Sequence, residues 1–465
     1  MIEFIKSDRI LKYYLGFFLF AVIFIVLQGP NLDLICSLLL PILDILLIGQ
    51  YCRISKWQSE GVFITFIFMN ALIIRIMGVF VMQNILVTYI GMPFLSYKDD
   101  YIYNQAAIEI LYRWKASGFG FYDDIAFSHD TYSGFPNFSA ALMLWFGTSP
   151  LVPRIGNAVL SAFTAVIGYL ICRNYASQDR ARYIGVLLSL LPLTIIFATL
   201  QLKDTLLLFF TSLSLYASVN ILQNKKLLLS KLLLVVSLIG MTFGRTASIV
   251  PILGGLAFMM IYGSTQNSRN KVLKFIIFIA VIVLLTKGYE YLETVGFVSL
   301  NDYFDSRYHS MSTSSVYDTE SRVTQFSWAK YLGAPLYFAC ALFLPPVLLI
   351  DVGETINYSA WAMLEHFAFL PFIIPALFMC YTNRKSHPVA LYLLVVYLMF
   401  KIGQANTVFT SLSPRQSLGT LFIMYLMLPM YRPVKEKWTH AILFMSLFII
   451  GAYNIIRLYS HGMLS

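Results

Sequence analysis

The sequence predicts an all-α, polytopic transmembrane bundle, and three observations predict it. Only 12% of the 465 residues are charged, against about 25% in a soluble domain. Hydrophobic residues make up 58% of the chain and the mean hydropathy is +0.73. Apolar runs recur along the chain, many close to the ~20 residues that a helix needs to cross hydrocarbon. The short alternating segments of an outer-membrane barrel are absent. The net charge is +10, but Lys and Arg sit in short loops between apolar runs. Orientation in a bilayer therefore explains the excess, and no nucleic-acid partner is expected.

The distribution of basic residues gives a topology of about thirteen spans with the N-terminus inside. Lys6, Arg9 and Lys12 hold the N-terminus in the cytoplasm, and two spans at about 13–29 and 33–50 form a hairpin within residues 1–60. No cleavable signal is expected, because no small-residue cleavage site follows the first run. Residues 61–465 form the main module. Its first span runs from about Gly61 towards Arg75, and an outer loop follows at about 80–150. Within that loop, 104–116 reads as an amphipathic juxtamembrane helix whose Ile108, Ile110, Leu111 and Trp114 face the bilayer or the bundle. The next span, about 153–172, ends at the basic RNYASQDRAR. Spans at about 183–200 and 205–222 are joined by the short outer turn QLKD. A further hairpin turns at Gly244-Arg245, and a span at about 274–290 leads to a second outer loop at 291–329. Pro345-Pro346 breaks the apolar stretch 332–350, which suits a re-entrant segment. Spans at about 357–381, 388–404, 416–431 and 439–457 complete the chain. No repeat of 20–50 residues is visible. The five cysteines lie in or near apolar runs without metal-ligand spacing, so they read as packing residues.

The outer face of this topology carries the unusual charges. The stretch YKDDYIYNQAAIEILYRWKASGFGFYDD (97–124) holds two acidic pairs, Asp99-Asp100 and Asp123-Asp124. Lys203, Arg245, Arg322 and Arg415 fall on the same side, where positive charge is disfavoured. A charge in hydrocarbon costs about 2.5–3.5 kcal/mol on insertion scales, so it is normally paired or functional. Cations suit a phosphate, and a carboxylate suits a general base. Together they describe group transfer from a lipid phosphate carrier to an acceptor hydroxyl. Snorkelling of Lys203 and Arg245 to lipid headgroups is the structural alternative. Asp99 or Asp100 also suits a helix N-cap before YIYNQAAIEILYRW.

These residues resemble the GT-C glycosyltransferases, the superfamily that includes protein O-mannosyltransferases and the lipid A aminoarabinose transferase. DDYIYNQAA (99–107) is similar to that family's D-[DE]-x-x-Y-x-x-x-A signature, and Arg154 and Asn157 open the helix after the following segment. The turn LKD (202–204), GRTAS (244–248) and the stretch NTVFTSLSPRQSLG (406–419) resemble later motifs in order, with Thr246 where that group often has Pro. The resemblance implies an inverting transfer from a polyprenyl-phosphate sugar donor at the outer face of the cell membrane. The acceptor would be a glycan, a lipid or a protein, in envelope glycan assembly. Asp99 or Asp100 would be the base, with the other orienting or capping. Lys203, Arg245 and Arg415 would hold the donor phosphate, with Arg322 a further candidate. Asp123 and Asp124 would orient sugar hydroxyls or bind a divalent cation, Mg or Mn, which no compact ligand cluster demands. Tyr103 could stack on a sugar, and Glu365 and His366 could line the cavity. A lipid-linked polysaccharide polymerase or ligase is an alternative, but the largest polar loop here is early and acidic. A transporter would show internal repeats and mid-membrane charges.

Overall fold

A computed structural model of the chain describes residues 59–95, 99–122, 134–245, 248–263, 372–407 and 414–432, with isolated positions between 441 and 448. Every regular element among the described residues is helical. The predicted spans at 13–29, 33–50 and 274–290, the segment 332–350, the second outer loop and most of 439–457 lie outside them. Among the described residues, three helices and one bent pair are long and apolar enough to cross a membrane.

Helix α1, Glu60–Ile90, starts under Ser59, whose side chain accepts from the Val62 amide, and ends at Gly91 in the left-handed region (φ 78°). Its 31 residues span ~45 Å at ~1.5 Å per residue, more than a ~30 Å hydrocarbon core. It runs well past Arg75, where the charge pattern had suggested an end. Arg75 does not stop it because the guanidinium is wholly buried among acceptors. Nε donates to Ser161 Oγ (2.7 Å), and Nη1 donates to the carbonyls of Ser189 (2.7 Å) and Ala71 (3.1 Å). Nη2 donates to the Leu188 carbonyl (3.3 Å) and Thr194 Oγ1 (3.1 Å).

Those acceptors explain the charge. Later in the chain come helices α4 (Leu151–Arg173), α5 (Gln178–Leu190) and α6 (Pro192–Thr199), and α5 and α6 meet at a 42° bend. Pro192 has no N–H, so the ladder breaks there and the last carbonyls of α5 lose their partners. In hydrocarbon an unsatisfied carbonyl is costly. Arg75 supplies the missing donors from the neighbouring helix. The predicted single span at 183–200 is therefore two helices, which pass the length and apolarity needed for a span only together.

Helix α4 is antiparallel to α1, since Arg154 meets Gln83 at one end while Arg173 and Tyr169 meet Glu60 at the other. Helix α7 (Lys203–Leu222) returns beside α4. Helices α8 (Leu227–Thr242), α9 (Ile249–Gly263), α10 (Phe372–Thr382), α11 (Pro388–Thr407) and α12 (Pro414–Met427) follow, and α9 packs on α11. One end of the bundle gathers Arg173, Arg180, Lys225 and the end of α12: Arg180 donates to the Pro429 carbonyl (2.7 Å) and Lys225 to Asn174 Oδ1 (2.8 Å).

The opposite end carries the hairpin of α2 (Asp99–Ser117) and α3 (Gly134–Phe146). Helix α2 begins five residues before the predicted 104–116. Its Ile110, Leu111 and Trp114 close a small core with Ala140 and Met143 of α3, so the face left open between bilayer and bundle is taken by a helix partner. Helix α3 falls within the stretch 80–150 that the sequence reads as an outer loop. Pro136 stands in its first turn, where a missing N–H costs nothing. Gly134 lets this helix approach the turn after α8: a Cβ there would lie 2.4 Å from Phe243 Cα. That neighbour is backbone and cannot yield cheaply, so Gly134→Ala is expected to destabilise by about 1–3 kcal/mol. Thermal unfolding of the variant checks this, and an unchanged midpoint would mean that the hairpin rides freely on the bundle.

Candidate functional site

The first turn of α2 anchors the site. Asp100 is buried, and its carboxylate accepts the amides of Leu95 (Oδ2, 2.6 Å) and Tyr101 (Oδ1, 3.0 Å). It thereby ties the loop after α1 to the start of α2, as a carboxylate at a helix N-terminus does. Burial pushes the Asp100 carboxyl above the usual carboxylate range, while the two backbone donors and the Arg154 charge pull it back in part. Asp99 is only half-buried at the head of the same helix.

A carboxyl whose folded-state pKa is raised stabilises the fold most below its unfolded value, about 3.9. The contribution is lost as pH rises through the raised value. The melting temperature is thus expected to fall across that window in the wild type, and Asp100→Asn to flatten the slope. A variant with an unaltered slope would assign the titration to another group.

Arg154 is the buried cation opposite. Nη1 donates to Gln83 Oε1 (2.6 Å) and Nη2 to the Pro93 carbonyl, and the guanidinium carbon lies 5.8 Å from the Phe94 ring centre. One turn on, at the i+3 position of the same face, Asn157 Nδ2 donates to the carbonyls of Leu200 (2.8 Å) and Leu202 (3.0 Å). This pins the break between α6 and α7. Gln201, in that break, is fully buried, and neither of its amide atoms has a hydrogen-bond partner. Lys203 and Asp204 follow, both buried, and Lys203 Nζ lies 5.9 Å from the Tyr103 ring centre. Tyr103 is itself buried, edge-on to Phe135 at 5.3 Å.

The structure therefore brings Asp99, Asp100, Tyr103 and Lys203 to one end of the bundle. Arg245 is half-buried in the turn after α8, and Phe243 of that turn stacks on Phe121 beyond α2 (5.9 Å). Arg415 belongs to the first turn of α12, and its side chain lies outside the described residues, as do Arg322, Asp123, Asp124, Glu365 and His366. Among the described residues no three His, Cys, Asp or Glu side chains converge as a metal group would. Gln83, Arg154, Asn157 and Gln201 belong to this end without having been singled out as site residues. Their signal was available: Arg154 and Asn157 are polar, one turn apart, on an otherwise apolar span.

No family model matches the chain, and no curated protein and no solved structure matches it either.

Proposed function

We propose that the protein is a membrane glycosyltransferase of the GT-C kind, moving a sugar from a polyprenyl-phosphate donor to an acceptor hydroxyl. One observation carries this reading: two helix starts that are far apart in sequence, Asp99-Asp100 and Lys203, meet at one end of an apolar bundle through Tyr103. That end bears carboxylates and a buried lysine, while Arg173, Arg180 and Lys225 collect at the other. By the positive-inside rule the basic end faces the cytoplasm, and the site faces outward.

In this mechanism Asp99 is the base and Asp100 a positioning residue. Both Asp100 oxygens are engaged by backbone amides, which suits a positioning role, and half-buried Asp99 stands beside it at the head of the same helix. It takes the hydroxyl proton as the acceptor oxygen attacks the anomeric carbon. The bond from that carbon to the phosphate oxygen breaks, and the polyprenyl phosphate leaves with the electron pair. Lys203, with Arg245 and Arg415, stabilises the charge developing on that phosphate. Asp123 and Asp124 keep the roles that the resemblance implies, orienting sugar hydroxyls or binding a divalent cation.

The test is turnover in lipid nanodiscs with radiolabelled polyprenyl-phosphate and polyprenyl-pyrophosphate sugars, supplied with envelope glycan, lipid and protein acceptor fractions. Transfer from a monophosphate donor supports the proposal. Turnover confined to pyrophosphate-linked oligosaccharides would replace it with a polymerase or ligase.

A further inference from the structure

We infer that Gln201 and Asn157 form a sugar-reading subsite in the break between α6 and α7, a reading that rests on the proposed function and deepens it. Three buried polar atoms at this break have no partner: Gln201 Oε1, Gln201 Nε2 and Asn157 Oδ1. A buried, unpartnered amide costs free energy, and each such group in a folded protein calls for an explanation. Methionine is of similar length and would fill the same space with no orphaned atoms, so packing gives no reason for glutamine here.

The chemistry of the three atoms selects the occupant. Two are acceptors and one is a donor, so the occupant must donate hydrogen bonds as well as accept one. A phosphodiester has acceptors alone and would leave both carbonyl oxygens unpaired. A hydroxyl donates one bond and accepts others, and two neighbouring hydroxyls on a sugar ring satisfy all three atoms. The position is right for a group attached to a phosphate. Lys203 is two residues on from Gln201, and Asn157 holds the carbonyls on both sides of Gln201 while sharing a helix face with Arg154. The phosphate goes to the cation and the ring to the amides.

The experiment measures binding of bare undecaprenyl phosphate and of undecaprenyl-phosphate glucose, galactose, mannose and N-acetylglucosamine to wild type and Gln201→Met, by thermal shift in nanodiscs. The wild type is expected to bind at least one glycosylated lipid more tightly than the bare phosphate. Gln201→Met should keep or raise the melting temperature without ligand, bind the bare phosphate unchanged, and bind the glycosylated lipid roughly 10- to 100-fold more weakly. Monodeoxy analogues of the preferred donor give a second measurement on the wild type alone: one or two positions should lose a similar factor. Equal binding of glycosylated and bare lipid by the wild type, or an undiminished sugar preference in Gln201→Met, overturns the subsite and leaves the phosphate pocket standing. Binding of neither lipid by the wild type overturns the subsite together with the proposed function. A melting temperature that falls in Gln201→Met with sugar preference intact makes Gln201 a structural residue.

Discussion

Arg75→Leu is expected to destabilise the protein by about 3–5 kcal/mol, through the orphaned acceptors it leaves behind. Five hydrogen bonds go at once, including those to the Leu188 and Ser189 carbonyls beside the Pro192 break. Membrane interiors offer no water to replace them, although individual interhelical bonds measured in membranes average only about 0.6 kcal/mol. The estimate is therefore set by five bonds together and by the acceptors left bare. Arg75→Lys keeps the charge but lacks the planar fork that reaches acceptors on α4, α5 and α6, and is expected to fall between leucine and wild type. Unfolding midpoints in detergent or bicelles decide the matter. A leucine variant as stable as the wild type would mean that helix packing alone holds the 42° bend. Transfer activity should fall along the same series, because the bend carries α6 to the break under Asn157.

Asp99→Asn should abolish most transfer, by 10²–10⁴-fold in kcat, the range for loss of a general base, while the melting temperature stays near that of the wild type. Asp100→Asn should separate from it by losing stability as well as activity. It converts one of two backbone-bound oxygens into a donor facing an amide, and it removes the carboxylate charge opposite buried Arg154. Initial rates and thermal melts on both variants give the comparison. A catalytic loss in Asp100→Asn alone, with Asp99→Asn fully active, would exchange the two roles. Full activity in both would remove carboxylate base catalysis from this turn.

Several elements were legible because their cause is local. Helices α4 and α7 begin and end within two residues of the predicted spans, since hydropathy and flanking charges mark them. The amphipathic pattern of α2 was visible, and so was the pairing of an acidic turn with a basic one at the same end. The length of α1 was not, because a charged residue in a span normally signals an end, and only its neighbours show that Arg75 is satisfied. Helix α3 was hidden in a polar, aromatic loop whose register is set by contact with Phe243 and by Asn137, which donates to the Tyr122 carbonyl at 2.8 Å.

Composition and periodicity by themselves determined a helical chain with several helices apolar and long enough to cross a membrane, because transfer free energies add residue by residue along a span. Tertiary structure alone decided which charges are satisfied. The Arg75 acceptors on other helices lie 86 to 119 residues away in sequence, and Asn157 reaches backbone 43 and 45 residues ahead. Hydrogen bonds act over ~3 Å in space whatever the separation along the chain. A buried polar residue is therefore a cost until the fold delivers its partner, and among the described residues Gln201 has neither amide atom partnered.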